Sequence, residues 1–222
     1  MTHGTSTQAA VSAIVSALEQ EVIFGLRLPK QRIYEDELIA RFDTKRHMVR
    51  AALQELERKG IVERVPNRGT VVRFFSREEV QALYVLRQIL HEAAARLVTM
   101  PADALWLDSL KLAQREHARA VQAQDLSAIF HCNNTFHRTL FEGTGNKYLV
   151  EAIEFSNAKS HGIRSHGFST PSLQAQAVQE HIRMIEAIEI GDHEALVQLC
   201  KEHMRAARQF YEEKYCLPSA TP

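Results

Sequence analysis

The sequence predicts a mainly α-helical protein, with an N-terminal winged helix-turn-helix followed by a C-terminal antiparallel all-helical bundle of about six helices. Three observations predict it. Apolar residues recur at helical spacing through most of the 222 residues. Two short β-rich runs flank Pro66-Asn67-Arg68-Gly69 and read as a hairpin. From Ser76 onward, helical segments follow one another with only Pro, Gly and Asp breaks between them.

Val11, Ile14, Val15, Leu18 and Val22 form the stripe of a first helix that Gly25 ends. The stretch RLPKQRI reads as a connection turning at Pro29. A short second helix, YEDELIARFD, turns Leu38, Ile39 and Phe42 inward, and a tight joint at Asp43-Thr44 leads to a third. In that third helix Met48, Val49, Ala52, Leu53 and Leu56 share one face, and Gly60 stops it. Ile61 to Val65 and Thr70 to Phe74 are the expected hairpin strands. Beyond them, Ser76 with Glu79 makes a capping box. The expected bundle helices span 77–98, 102–122, 125–142, 147–165, 172–190 and 192–214. The expected division is a first domain at 1–75, a second at 76–216 and a tail at 217–222, with no Gly/Ser-rich linker between the domains.

With 45% hydrophobic and 24% charged residues, the composition is that of an ordinary globular protein. No apolar run approaches the roughly 20 residues that span a bilayer, and MTHGTSTQAA lacks the features of a secretion signal. Cys132, Cys200 and Cys216 are too few and too scattered for a disulfide framework, so the expected compartment is the reducing cytoplasm, with no membrane partner. Net charge is zero, yet residues 1–75 carry 12 Lys+Arg against 9 Asp+Glu, which permits a nucleic-acid partner for the first segment.

The third helix places Lys45, Arg46, His47 and Arg50 at its N-terminal end, opposite the apolar face. That end of such a helix meets base edges in the major groove, where Arg grips guanine with two hydrogen bonds and Lys holds phosphate. Arg68 and Gly69 stand at the hairpin tip, where a small residue lets backbone approach the sugar-phosphate chain. A lone basic helix is usually a solvated face. The helix-helix-hairpin context favours binding to double-stranded DNA.

The first segment, through Gly25, Leu28-Pro29, Glu37-Leu38, Arg46, Val49-Arg50, Ala52-Leu53, Leu56, Gly60 and Arg68-Gly69, resembles the DNA-binding domain of the GntR superfamily of bacterial transcription regulators. The stretches LYVLRQILHEAAARLV, NNTFHRTLFEGTGNKYL, EHIRMIEAIEIGD and CKEHMRAA resemble, in order, the all-helical effector domain of its FadR-type members, the FCD domain, and the shorter VanR-like group in particular. The likeness runs over residues 10–212. Departures from the family pattern are Lys45 for Ser or Thr, Ala51 for Glu, Lys30 for Gly, His91 for Glu, and Asn133 for Asp.

The resemblance implies a bundle that binds a small carboxylate effector, often with a metal ion, and maps the ligand set onto Asn133, His137, His181 and His203, with Arg87 as an effector contact. Spacing agrees with this. Asn133 and His137 are four apart on one helix, and in a helix hairpin turning at Gly191-Asp192 His181 and His203 both lie roughly 15–18 Å from the turn. Nitrogen-rich ligation suits a divalent transition metal such as Zn²⁺ or Ni²⁺. The opposing reading is three unrelated buried or surface histidines, and His131, His161, His166 and His193 are assigned to the surface or to supporting roles. The expected function is a ligand-responsive repressor that binds operator DNA as a homodimer. A metal-dependent enzyme using His137, His181 and His203 is the alternative, although no H-E-x-x-H or nucleophile motif supports it. A second alternative is a module whose winged helix binds a protein.

Overall fold

The computed structural model describes residues 3–168 and 170–216, which form two compact units joined between Phe75 and Ser76. The tail expected at 217–222 lies outside the described residues, as does the side chain of His166. No described helix is long and apolar enough to cross a membrane.

The first unit comprises α1 (His3–Ile23), β1 (Arg32–Ile33), α2 (Glu35–Phe42), α3 (Arg46–Arg58), β2 (Val62–Val65) and β3 (Gly69–Val72). Ile14 and Leu18 of α1, Leu38 of α2, and Val49, Leu53 and Leu56 of α3 close on one core, each at most 2% exposed. Asp43 takes the left-handed conformation (φ 43°) between α2 and α3, and the Asp43 and Thr44 amides both donate to the Ile39 carbonyl. A short polar side chain tolerates that geometry, which makes the abrupt turn. In the wing, Val65 pairs with Gly69 around a turn in which Asn67 (φ 63°) follows Pro66.

RLPKQRI, read as a plain connection, carries β1, which joins the hairpin as an edge strand in the order β1-β3-β2. Two residues are too few to show a period in sequence. The strand exists because the Lys30 amide donates to the Val72 carbonyl and the Val72 amide to the Gln31 carbonyl. Lys30 itself has φ 67°, a strained backbone for a side-chain-bearing residue, which accounts for the glycine usual there. Its ammonium lies 3.8 Å from the centre of the Phe74 ring.

In the second unit five of the seven described helix starts use the polar residue that breaks the pattern before it. Ser76 and Glu79 form the full capping box on α4 (Arg77–Leu97). Asp103, Asp125, Asn146 and Asp192 cap α5 (Ala104–Ala123), α6 (Leu126–Glu142), α7 (Lys147–Lys159) and α10 (His193–Tyr215). Helix α9 (Pro171–Glu189) begins with proline at its first position. The expected helix 147–165 is divided, with α8 (His161–Phe168) starting after Ser160. Here the Ser156 hydroxyl donates to the Ile153 carbonyl and the Ser160 hydroxyl to the Asn157 carbonyl, so side chains compete for the acceptors of the ladder. Helix α10 packs against α4, α8 and α9, and α5 against α6 and α9, around Phe136, Leu140, Phe141, Met184 and Leu196. Gly143 is required by contact: a Cβ there would sit 2.2 Å from the Trp106 ring, whose indole N–H donates to the Thr139 carbonyl at 2.7 Å.

An ion-pair network ties α1 to α2. Glu21 accepts from Arg27 and Arg41, while Arg27 also donates to Glu37 at 2.8 Å. Burial disfavours the Glu21 charge, but the hydrogen bonds from Arg27 and Arg41 outweigh it and hold the carboxyl below its ordinary 4.5. Glu21→Gln should therefore lower the opening free energy of the Leu18 and Leu53 amides by about 2–3 kcal/mol in hydrogen exchange. A carboxyl with a lowered folded-state pKa stabilises fully above the ordinary value. The difference between variant and wild type should thus be complete above pH 4.5 and close as pH falls through the lowered pKa.

Candidate functional site

The recognition-helix residues lie on an open face. Lys45 is the N-cap of α3 but offers no side-chain acceptor, and Arg46, His47 and Arg50 are all exposed. The two arginines share one anchor: Glu35 accepts from Arg46 Nη1 at 3.2 Å and from Arg50 Nε at 3.1 Å, and Asp36 accepts from Arg46 Nη2 at 2.7 Å. These contacts point both guanidinium groups along the start of α3 without burying them, each side chain remaining more than half exposed. Arg68 and Gly69 stand exposed at the wing tip, and Gly69 has φ 76°.

The second unit encloses a cavity of about 70 Å³ among α4 to α10. Arg87 and His91, one helical turn apart on α4, both face it. Helix α6 contributes Asn133 and His137, α9 Glu180, and α10 His203. The nitrogens of His137, His181 and His203 come within 4.8 Å of one another, so the helix hairpin at Gly191 does bring its two histidines to one height. His137 Nε2 and His203 Nε2 are 2.9 Å apart, and Phe136 stacks on the His181 ring at 3.8 Å. Asn133, 3% exposed, lines the cavity one turn before His137.

Glu180, which the sequence reading did not single out, sets the polarity of this group. Its Oε2 lies 2.6 Å from His203 Nδ1, which fixes that ring with Nε2 turned to the cluster. Burial opposes the Glu180 charge, yet the hydrogen bond from His203 keeps its carboxyl below the ordinary range. Burial, then the neighbouring His203, pushes His137 and His181 well below the usual imidazole value, so both are held neutral. Neither ring nitrogen of His181 and not Nδ1 of His137 has a hydrogen-bond partner in the protein, although both residues are buried. Leaving such groups unsatisfied costs about 1–3 kcal/mol each, and a bound cation or ligand would relieve it. Three imidazoles with a carboxylate behind one of them are a donor set that fits a divalent transition metal.

Further residues complete the site. His117 on α5 is 1% exposed, lies 4.9 Å from the His181 ring, and burial lowers its pKa to about 4. Arg164 on α8 is buried in the same cavity, its Nη2 donating to Asn134 Oδ1 at 3.0 Å. His117 carried a weak signal in the dipeptide Glu116-His117. Arg164 carried none, because its direction depends on the break at Ser160. Of the histidines assigned elsewhere, His131 is exposed, while His161 and His193 are half-buried. His193 Nε2 hydrogen-bonds the Val98 carbonyl at 2.9 Å.

Residues 82–206 match the model of the FCD domain, and residues 10–72 match that of the bacterial regulatory proteins of the gntR family. The HTH-type transcriptional regulator YdhC of Bacillus subtilis is 25% identical over 190 residues, covering 85% of this chain and 83% of that protein. The HTH-type transcriptional repressor RspR of Escherichia coli is 23% identical over 211 residues, covering 93% and 92%. A GntR transcriptional regulator from Rhodococcus sp. RHA1 superimposes with a TM-score of 0.73 at 20% identity, over 93% of this chain and 99% of that one. E. coli McbR/YncC gives 0.72 at 16% identity, over 93% and 98%. With a winged helix in front and a matched FCD domain over more than half its length, this chain belongs to the GntR family of DNA-binding transcription regulators, a family of regulators rather than enzymes.

Proposed function

We propose that this protein is an effector-controlled repressor that binds its operator as a homodimer through Lys45, Arg46, His47, Arg50 and the wing residues Arg68 and Gly69, and that a small carboxylate in the bundle cavity sets its affinity for DNA. The observation that carries the effector reading is the cavity itself. It buries Arg87 at 4% exposure in a wall shared with His137, which is held neutral, an arrangement suited to receiving an anion and costly without one. His137, His181 and His203, with Asn133 beside them, would hold a Zn²⁺ or Ni²⁺ ion, which when bound would supply a Lewis-acidic position for the carboxylate. Arg87 would receive the carboxylate's charge with a planar fork of donors. Its Nε is already positioned by Asn157 Oδ1 at 3.2 Å.

The DNA-facing role rests on the arginine pair. Glu35 and Asp36 hold Arg46 and Arg50 outward, where guanidinium donors can reach base edges and where phosphate would compete for the same N–H groups. The dimer reading rests on exposed apolar residues at helical spacing: Val85 and Ile89 on α4, with Tyr148 and Phe155 on α7, which packs beside α4. Ligand control then requires only that the effector prefer one arrangement of the paired heads. A coupling of ~1–3 kcal/mol changes operator occupancy about 5–150-fold.

Footprinting on the DNA upstream of the protein's own gene should show a protected two-fold site. Arg46→Ala with Arg50→Ala should abolish protection and leave the thermal unfolding of the bundle unchanged; protection by the double variant would refute the assignment. Elemental analysis after reconstitution should find one Zn²⁺ or Ni²⁺ per chain, with His137→Ala and His203→Ala losing it and Glu180→Gln weakening retention by about 10–100-fold in chelator competition. No stoichiometric metal in the reconstituted wild type would remove the ion from the proposal. Sedimentation should give a dimer that Ile89→Glu with Phe155→Glu converts to a folded monomer.

A further inference from the structure

The cavity holds a second buried cation. Arg164, 7% exposed, enters it from α8 and shares it with Arg87 from α4. Burial lowers the pKa of both groups, and the charge of Arg87 adds to the effect on Arg164, bringing it to about 9. Two like charges set close together in a water-poor space repel each other and lose hydration, so an anion between them would be worth more than it is at either alone. Both guanidiniums are oriented by amide oxygens, Asn157 for Arg87 at 3.2 Å and Asn134 for Arg164 at 3.0 Å. Glu180 is the single carboxylate lining the cavity among the described residues, and it is engaged by His203 and by Gln176 at 2.7 Å. The field of the pair reaches across the cavity: burial comes first in holding His91 neutral, and the charges of Arg87 and Arg164 follow. The cavity wall thus carries both arginines together with His137 and His203 of the cluster, and His91, one turn from Arg87, lies 6.4 Å from His137 between ring centres.

We infer that the effector is a small dicarboxylate, one acid group seated at the His137/His181/His203 cluster and the other gripped between Arg87 and Arg164. This rests on the carboxylate-effector reading above and narrows it. A monocarboxylate brings one negative charge to a space walled by two guanidiniums; a dicarboxylate brings a second, which Arg164 can meet. Arg164 is then the residue that separates the two ligand classes.

Calorimetric titration of the full-length protein tests this, after equilibration with Zn²⁺ and dialysis to remove unbound metal. Malonate, succinate and glutarate are compared with propionate, butyrate and valerate. At least one dicarboxylate should bind about ten-fold or more tightly than the monocarboxylate of equal length. Arg164→Gln should erase that preference by weakening the dicarboxylates at least ten-fold more than the monocarboxylates, while Arg164→Lys, which keeps the charge and loses the planar fork, should restore part of it. Equal binding of the two series by the wild type would overturn the inference and leave the carboxylate reading standing. Equal weakening of both series by Arg164→Gln would make Arg164 a structural residue and overturn it too. Binding of neither series would remove the carboxylate reading itself, and this inference with it.

Discussion

Everything distinctive about the second unit follows from the burial of cationic and imidazole groups in a helical bundle. A bundle of this size could close on leucine and phenylalanine alone, as the cluster around Phe136, Leu140 and Met184 shows. Instead Arg87, His91, His117, His137, Arg164 and His181 point inward at 7% exposure or less. Removing a guanidinium from water is expensive unless something replaces the hydration, and an imidazole responds to the same penalty by staying neutral. The surrounding architecture deals with both. Asn134 and Asn157 supply oxygen acceptors, Glu180 orients one histidine, and Phe136 pins the ring of another by stacking. Among the described residues, both nitrogens of His181 and Nδ1 of His137 remain without a hydrogen-bond partner.

The two units treat arginine in opposite ways. On α3, carboxylates anchor exposed guanidiniums, and since exposed ion pairs contribute little to stability, phosphate can displace those contacts at low cost. In the bundle, amide oxygens accept from the buried guanidiniums. Exposure and partner chemistry therefore distinguish the open recognition face from the enclosed polar cavity.

Much of this was legible in sequence, and for identifiable reasons. The caps at Ser76, Asp125, Asn146 and Asp192 coincide with pattern breaks because the same side chain that ends one apolar stripe satisfies the next helix's first amides. The convergence of His181 and His203 could be anticipated because an antiparallel hairpin converts equal distance from its turn into equal height. Three features could not. Strand β1 is two residues long and exists through pairing with a strand distant in sequence. The division at Ser160 depends on serine hydroxyls bonding back to carbonyls, which periodicity does not register. Arg164 and Glu180 act through direction, and the direction of a side chain entering a cavity is decided by the packing of several helices at once.

Asn133 shows how these effects combine. It stands where the family resemblance places an aspartate, and it lines the cavity at 3% exposure. An aspartate there would add a second carboxylate beside Glu180, strengthening a cation's hold at the histidines and repelling any acid brought near them. The amide keeps an oxygen donor of the right shape and removes the charge, so the cavity keeps its two guanidiniums with one carboxylate, and that one is engaged by His203 and Gln176. The substitution thus gives up some attraction for a metal and lowers the electrostatic cost of an anionic ligand. In the same cavity His91 stands where glutamate is usual, which removes a further negative charge from the wall facing His137. Two replacements of acid by neutral side chain leave this small space, walled by two buried arginines, with less negative charge, which favours the proposed acid over a bound cation.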